Sequence, residues 1–141
     1  MDTVPQSTRS EIMARVRSED TRPEIMVRRL VFSLGYRYRL HVKTLPGRPD
    51  LVFASRNKVI FVHGCFWHRH AARTCNLSRL PKSRLEFWEP KLEGNRDRDR
   101  RIKSELIRRG WEVLTIWECQ LRNLASVSSR VRSFLNNDEI D

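Results

Sequence analysis

Residues 51–63 constrain the fold most. Two nearly continuous apolar runs, LVFA (51–54) and VIFVH (59–63), are separated only by the polar tetrad SRNK. Runs this short and this apolar read as strands covered on both faces, so they predict a hairpin at the centre of a sheet. The rest of the chain must then supply the cover. Thr21 and Glu24 fit a capping box with Pro23 in the first turn, and Gly35 follows as a stop signal. Between them Met26, Leu30 and Leu34, with Val27 and Val31, form a wide helical stripe. Thr8 and Glu11 repeat the capping pattern ahead of a short helix carrying Ile12 and Val16. Tyr36, Tyr38 and Leu40 alternate with Arg37 and Arg39, which predicts a strand. LPGRPD is a turn. Residues 84–92 and 96–109 predict two helices, and Gly110 ends the second. WEVLTIW (111–117) predicts another buried strand, and Val127, Val131, Phe134 and Leu135 a last helix. The expected fold is α/β, a mixed central sheet flanked by helices, in a single domain over 1–141. Within it, 1–20 form an N-terminal arm and helix, and 124–141 a C-terminal helix and tail.

Charge narrows the partner. The 141 residues carry 28 Lys and Arg against 17 Asp and Glu, a formal net charge of +11. Such a basic domain fits a polyanion, and its many Arg forks suit phosphate. No apolar run approaches the length of a membrane span, and the first ten residues lack a signal-peptide core. A reducing cytoplasm is therefore expected, where three cysteines point to metal or plain burial rather than disulfides.

Two clusters carry chemistry. Asp50 follows a proline at the entrance to a buried strand, where a bare carboxylate is costly. Its partner is either Arg48, in a structural ion pair, or a divalent cation bridging carboxylate and backbone oxygens beside a phosphate. His63 ends the neighbouring strand. His68 follows, and Asp99, in an Arg-rich helix, could orient an imidazole as a general base. Taken singly, Asp99 fits a solvated ion pair and Glu24 a capping acid. The second cluster is Cys65, His70 and Cys75, with Cys119 just past a strand. Thiolates plus imidazole favour tetrahedral zinc, with His68 or His70 as the nitrogen ligand; buried, unconnected thiols are the alternative. Phe66, Trp67 and Trp88 are either core or rigid wedges between base pairs.

The runs STRSEIMARVRSEDT, LPGRPDLVF, VIFVHGCFWHRH, LEFW, NRDRDRRI and GWEVLTIWECQL occur in order over about residues 7–122. Together they resemble the very-short-patch-repair (Vsr) DNA mismatch endonuclease family. That resemblance implies a restriction-endonuclease-like fold with a structural zinc site, and a monomeric, magnesium-dependent nickase. Its substrate would be double-stranded DNA with a T:G mismatch left by 5-methylcytosine deamination, cut 5′ of the T. It implies Asp50 and the Val62 carbonyl as magnesium ligands. Glu24 and His63 would hold metal-bound waters, and His68 would act as general base with Asp99. Zinc would lie on Cys65, His70, Cys75 and Cys119. Phe66, Trp67 and Trp88 would intercalate, and Arg9, Arg15, Arg17, Arg48 and Asn95 would contact DNA. A bacterial, nucleoid-associated enzyme with mismatch-repair proteins as further partners is the expected setting. Two positions differ from the family pattern: Val62 stands where Thr is frequent, and HAARTC lengthens the gap between His70 and Cys75. The rival expectations are a related nuclease without mismatch specificity and a non-catalytic, zinc-stapled DNA-binding module.

Overall fold

A computed structural model describes residues 20–65, 70 and 85–136, the side chains of 85–88 excepted. In chain order the elements are α1 (Arg22–Ser33), β1 (Leu51–Phe53), β2 (Lys58–His63), α2 (Leu85–Arg108), β3 (Glu112–Trp117) and α3 (Leu124–Asn136). The helix around Ile12 lies outside the described residues.

The hairpin forms as expected. β1 and β2 pair antiparallel, with Leu51 opposite Ile60 and Phe53 opposite Lys58. The polar tetrad becomes a short 3-10 turn that ends at Asn57 in the left-handed region. β3 then adds to β2 in parallel, so β2 is the central strand of a mixed three-stranded sheet. Alternation sorts its side chains between two cores. Leu51, Phe53, Ile60, Val62 and Ile116 face α1 and α3, meeting Val27, Val31, Val127, Val131 and Leu135. Val52, Val59 and Phe61 face α2 through Leu106 and Ile102.

Four expectations change. The strand over Tyr36–Leu40 reduces to one bridge, Arg39 to Val52; Tyr36, Tyr38 and Leu40 still pack on the core, but among the described residues no longer partner strand extends the pairing. The two helices at 84–92 and 96–109 are one, with Pro90 inside it. Gly94 is no boundary, because Leu92, Asn95 and Leu106 give the helix one continuous buried face. β3 is half-exposed rather than buried, only Ile116 being enclosed, because it pairs on one side alone. On α1 the buried line is Glu24, Val27 and Val31, and Met26 turns outward.

α3 has no basic residue in its last turn, so its C-terminal carbonyls need outside donors. The hairpin supplies them. The fully buried Lys58 donates from Nζ to the Phe134 carbonyl, and Arg56 donates to the Leu135 carbonyl at 2.8 Å. These bonds clamp α3 across the start of β2.

Candidate active site and metal centre

The site lies where the hairpin ladder stops. Val52 exchanges both backbone bonds with Arg39, at 2.9 and 3.0 Å. Leu51 and Phe53 therefore turn their amides toward β2. The pairing ends with Leu51 opposite Ile60, and the chain bends at Asp50. Pro49, just before the bend, has no N–H to offer as a further ladder donor. The Val62 N–H instead donates to Asp50 Oδ2 at 2.6 Å. The turn that delivers Asp50 is pinned from below. Gly47 has φ +74, and a Cβ there would stand 2.5 Å from Ile102 Cγ2 of α2. Only glycine allows that approach.

Asp50 pays electrostatically for its place. Burial pushes its carboxyl up to about 7; the Val62 hydrogen bond opposes the rise, nearby Glu24 adds to it, and Arg28 opposes it. A carboxyl so placed gains strongly from a cation. Arg48 is not that cation: it is exposed, in the left-handed region, and forms no ion pair with Asp50 among the described residues.

Glu24 is buried at the first turn of α1. Its backbone N–H reaches Thr21 Oγ1 at 3.5 Å, and its Oε1 accepts from the Asp20 N–H at 2.8 Å and from Arg28 Nη2 at 3.3 Å. Arg28 Nη2 also meets Asp20 Oδ1 at 2.7 Å. Glu24 is thus a capping acid whose charge also acts on Asp50. Arg28, the counter-charge for both, was not foreseen. Its one signal in the sequence is its position four residues after Glu24, on the same helix face.

His63 ends β2, 9% exposed. It shares a sheet face with Val59 and Phe61, the face covered by α2. Its ring lies 5.6 Å from Phe61 and 5.1 Å from Trp117, edge-on to the indole. The reversal at Gly110 runs α2 back along β3. Residues before Leu106 therefore climb toward the strand ends. Asp99, half-buried, stands about 10 Å up the helix from Leu106. Asn95, one turn higher, is buried on the inward face at 8% exposure.

Beyond the strand ends Cys65, His70 and Cys119 bring their ligand atoms within 4.8 Å of one another. Among the described residues this is the one group of three or more such ligands that converges. The His70 N–H closes a turn onto the Cys65 carbonyl at 2.9 Å. The Cys119 N–H donates to Cys65 Sγ at 3.4 Å, and Cys119 Sγ lies 3.5 Å from His70 Nδ1. Burial lowers the His70 pKa, which favours the neutral imidazole a metal requires. Two sulfurs and a ring nitrogen, one sulfur already receiving an N–H, fit a soft, tetrahedral ion. Asp50, Glu24 and His63 do not converge in this way. Those residues fit an ion held by one carboxylate and otherwise by water and backbone oxygen, the habit of magnesium.

Phe66, Trp67, His68, Cys75, Arg9, Arg15 and Arg17 lie outside the described residues, and Trp88 is described only as part of the α2 backbone. No helix of the described residues is long and apolar enough to cross a membrane.

Comparison with known proteins points one way. The sequence model of the DNA mismatch endonuclease Vsr family matches residues 1–75. The chain is 50% identical over 135 residues to the type II nicking enzyme V.XorIIP of Xanthomonas oryzae pv. oryzae, covering 96% of this chain and 97% of that protein. It is 40% identical over 125 residues to the type II nicking enzyme V.NmeAIP of Neisseria meningitidis serogroup A, covering 89% and 87%. It is 43% identical over 121 residues to the DNA mismatch endonuclease Vsr of Escherichia coli, covering 86% and 76%.

Proposed function

The chain belongs to the DNA mismatch endonuclease Vsr family, and from that premise we propose that it nicks double-stranded DNA 5′ of the T in a T:G mismatch. As a family member it is a DNA endonuclease, a hydrolase of phosphodiesters. The observation that carries the finer reading is the Asp50 cradle. A buried carboxyl raised to about 7 is oriented by the Val62 N–H at the point where the β1–β2 pairing stops.

Asp50 and the Val62 carbonyl would hold magnesium. The bound ion would stabilise charge on the phosphate and lower the pKa of water. Glu24 presents a carboxylate fixed by Arg28 and the Asp20 N–H, suited to orient a metal-bound water rather than to ligate. His63 is assigned the same task from the end of β2. His68 takes the proton of the attacking water at a ring nitrogen, and Asp99 holds that ring in the right tautomer. Cys65, His70, Cys75 and Cys119 hold a structural zinc that fixes the following segment. Phe66, Trp67 and Trp88 enter the stack beside the mismatch, where opening costs least. Arg9, Arg15, Arg17 and Arg48 supply phosphate contacts. Asn95, being buried, supports the strand ends from within. The whole is read as one restriction-endonuclease-like domain acting as a monomer in the bacterial cytoplasm.

The names of two relatives favour a second reading. They are type II nicking enzymes, which admits a nuclease less strict about the mismatch. Nicking of otherwise identical T:G and T:A duplexes, with and without magnesium, separates the two. The mismatch reading expects magnesium-dependent cutting of T:G alone; equal cutting of both removes it. Asp50→Ala should abolish nicking while leaving DNA binding largely intact. A wild type that binds but never nicks would leave only a zinc-stapled binding module.

A further inference from the structure

We infer that Trp117 is a positioning residue, whose indole transmits the fixed orientation of His70 in the Cys65–His70–Cys119 centre to the His63 ring at the end of β2. The inference rests on the reading of His63 as part of the nicking site.

Trp117 is the last residue of β3 and pairs in register with His63. Alternation puts both on the sheet face that α2 covers, with Val59 and Val113. Its indole meets two imidazoles. The His70 ring stacks on it, centroids 4.1 Å apart and planes within 7°. The His63 ring meets it edge-on, at 5.1 Å and 78°. Parallel and edge-on contacts are the two geometries that aromatic rings favour, so each ring restrains the tilt of the next. The backbone is held too. The Trp117 N–H donates to Gln120 Oε1 at 2.9 Å, and Arg130 of α3 grips the same oxygen at 2.9 Å. Two residues on, Cys119 supplies a ligand atom of the centre.

The consequence is a division of labour. Asp50 is anchored by the β2 backbone, through the Val62 N–H. His63 is placed by the aromatic relay, whose far ring has its Nδ1 at the centre, 3.5 Å from Cys119 Sγ. An aliphatic side chain of similar bulk at position 117 would fill the space without conveying an orientation.

The test uses the zinc-loaded, DNA-free chain with isotope-labelled histidine, the His63 signal being assigned by its loss in His63→Gln. In Trp117→Leu the metal content, measured by chelator titration, should match the wild type while the His63 ring resonances move. In nicking assays kcat should fall roughly 10–100-fold, the usual cost of losing an outer-shell partner, with KM for DNA unchanged. Trp117→Phe should recover most of that loss. Wild-type kcat in metal-replete Trp117→Leu would overturn the inference even if the His63 signal moves, because loss of the indole ring current alone shifts it. So would a loss of nicking that follows metal content and returns fully when zinc is added back. If Trp117→Leu fails to fold, Trp117→Met takes its place: retained metal with kcat lowered as above supports the relay, and retained metal with wild-type kcat ends it. Normal nicking by His63→Gln would instead sink the underlying site reading.

Discussion

At the scale of single residues, Asp50 sets the electrostatics. Its carboxyl stands at about 7 when folded, against 3.8 for an unperturbed group. Between those values the folded chain binds more protons than the unfolded one. Its contribution to stability is therefore full below about pH 4 and is lost as pH rises through about 7. Without divalent ions, Asp50→Asn should match the wild type in Tm below about pH 4 and exceed it by a margin that grows up to about pH 7. Magnesium should narrow the gap by restoring the wild type. Parallel Tm curves for the two proteins would mean that the carboxyl is not desolvated. Asp50 itself was legible in the sequence, because Pro-Asp before an apolar strand forces the question of its partner. Arg28 and Trp117 were not. Each acts through residues that only the tertiary fold brings near: Asp20 and Asp50 for the first, His63 and His70 for the second.

At the scale of elements, the hairpin, α1 and α3 follow from short-range signals: two near-continuous apolar runs, a capping Thr and a terminal Gly, an apolar helical stripe. The misread elements are those decided by neighbours. Tyr36–Leu40 has strand alternation yet gains one bridge. Pro90 and Gly94 look like a break yet lie within a single 24-residue helix, whose buried face outweighs their poor propensity. Two changes probe how elements hold one another. Lys58→Met would leave the Phe134 carbonyl unpaired at the end of α3, costing roughly 1–3 kcal/mol in denaturant unfolding. Gly47→Ala must force both a positive φ and the contact with Ile102. It should cost roughly 1–3 kcal/mol and lower nicking as well, since the same turn carries Asp50. Normal nicking in a destabilised Gly47→Ala would show that the turn tolerates displacement without moving the carboxyl.

At the scale of the whole molecule, charge governs the encounter with DNA. With a net charge of +11, affinity should fall steeply with salt as counterions are released. Six to ten phosphate contacts would cost about 10³–10⁵ in affinity between about 50 and 200 mM. A flat log–log plot in filter binding or anisotropy would contradict a phosphate-tracking surface. Asp50→Ala should keep the wild-type slope, because the proposed site gives the carboxylate to cutting rather than to docking.

The last rung of the hairpin falls at Leu51, and the chain bends away at Asp50. There a side-chain oxygen, in place of a main-chain one, meets the Val62 N–H. A sheet margin finished by an acid carries its own charge into the fold, so the bond that ends the pairing also decides where that charge sits.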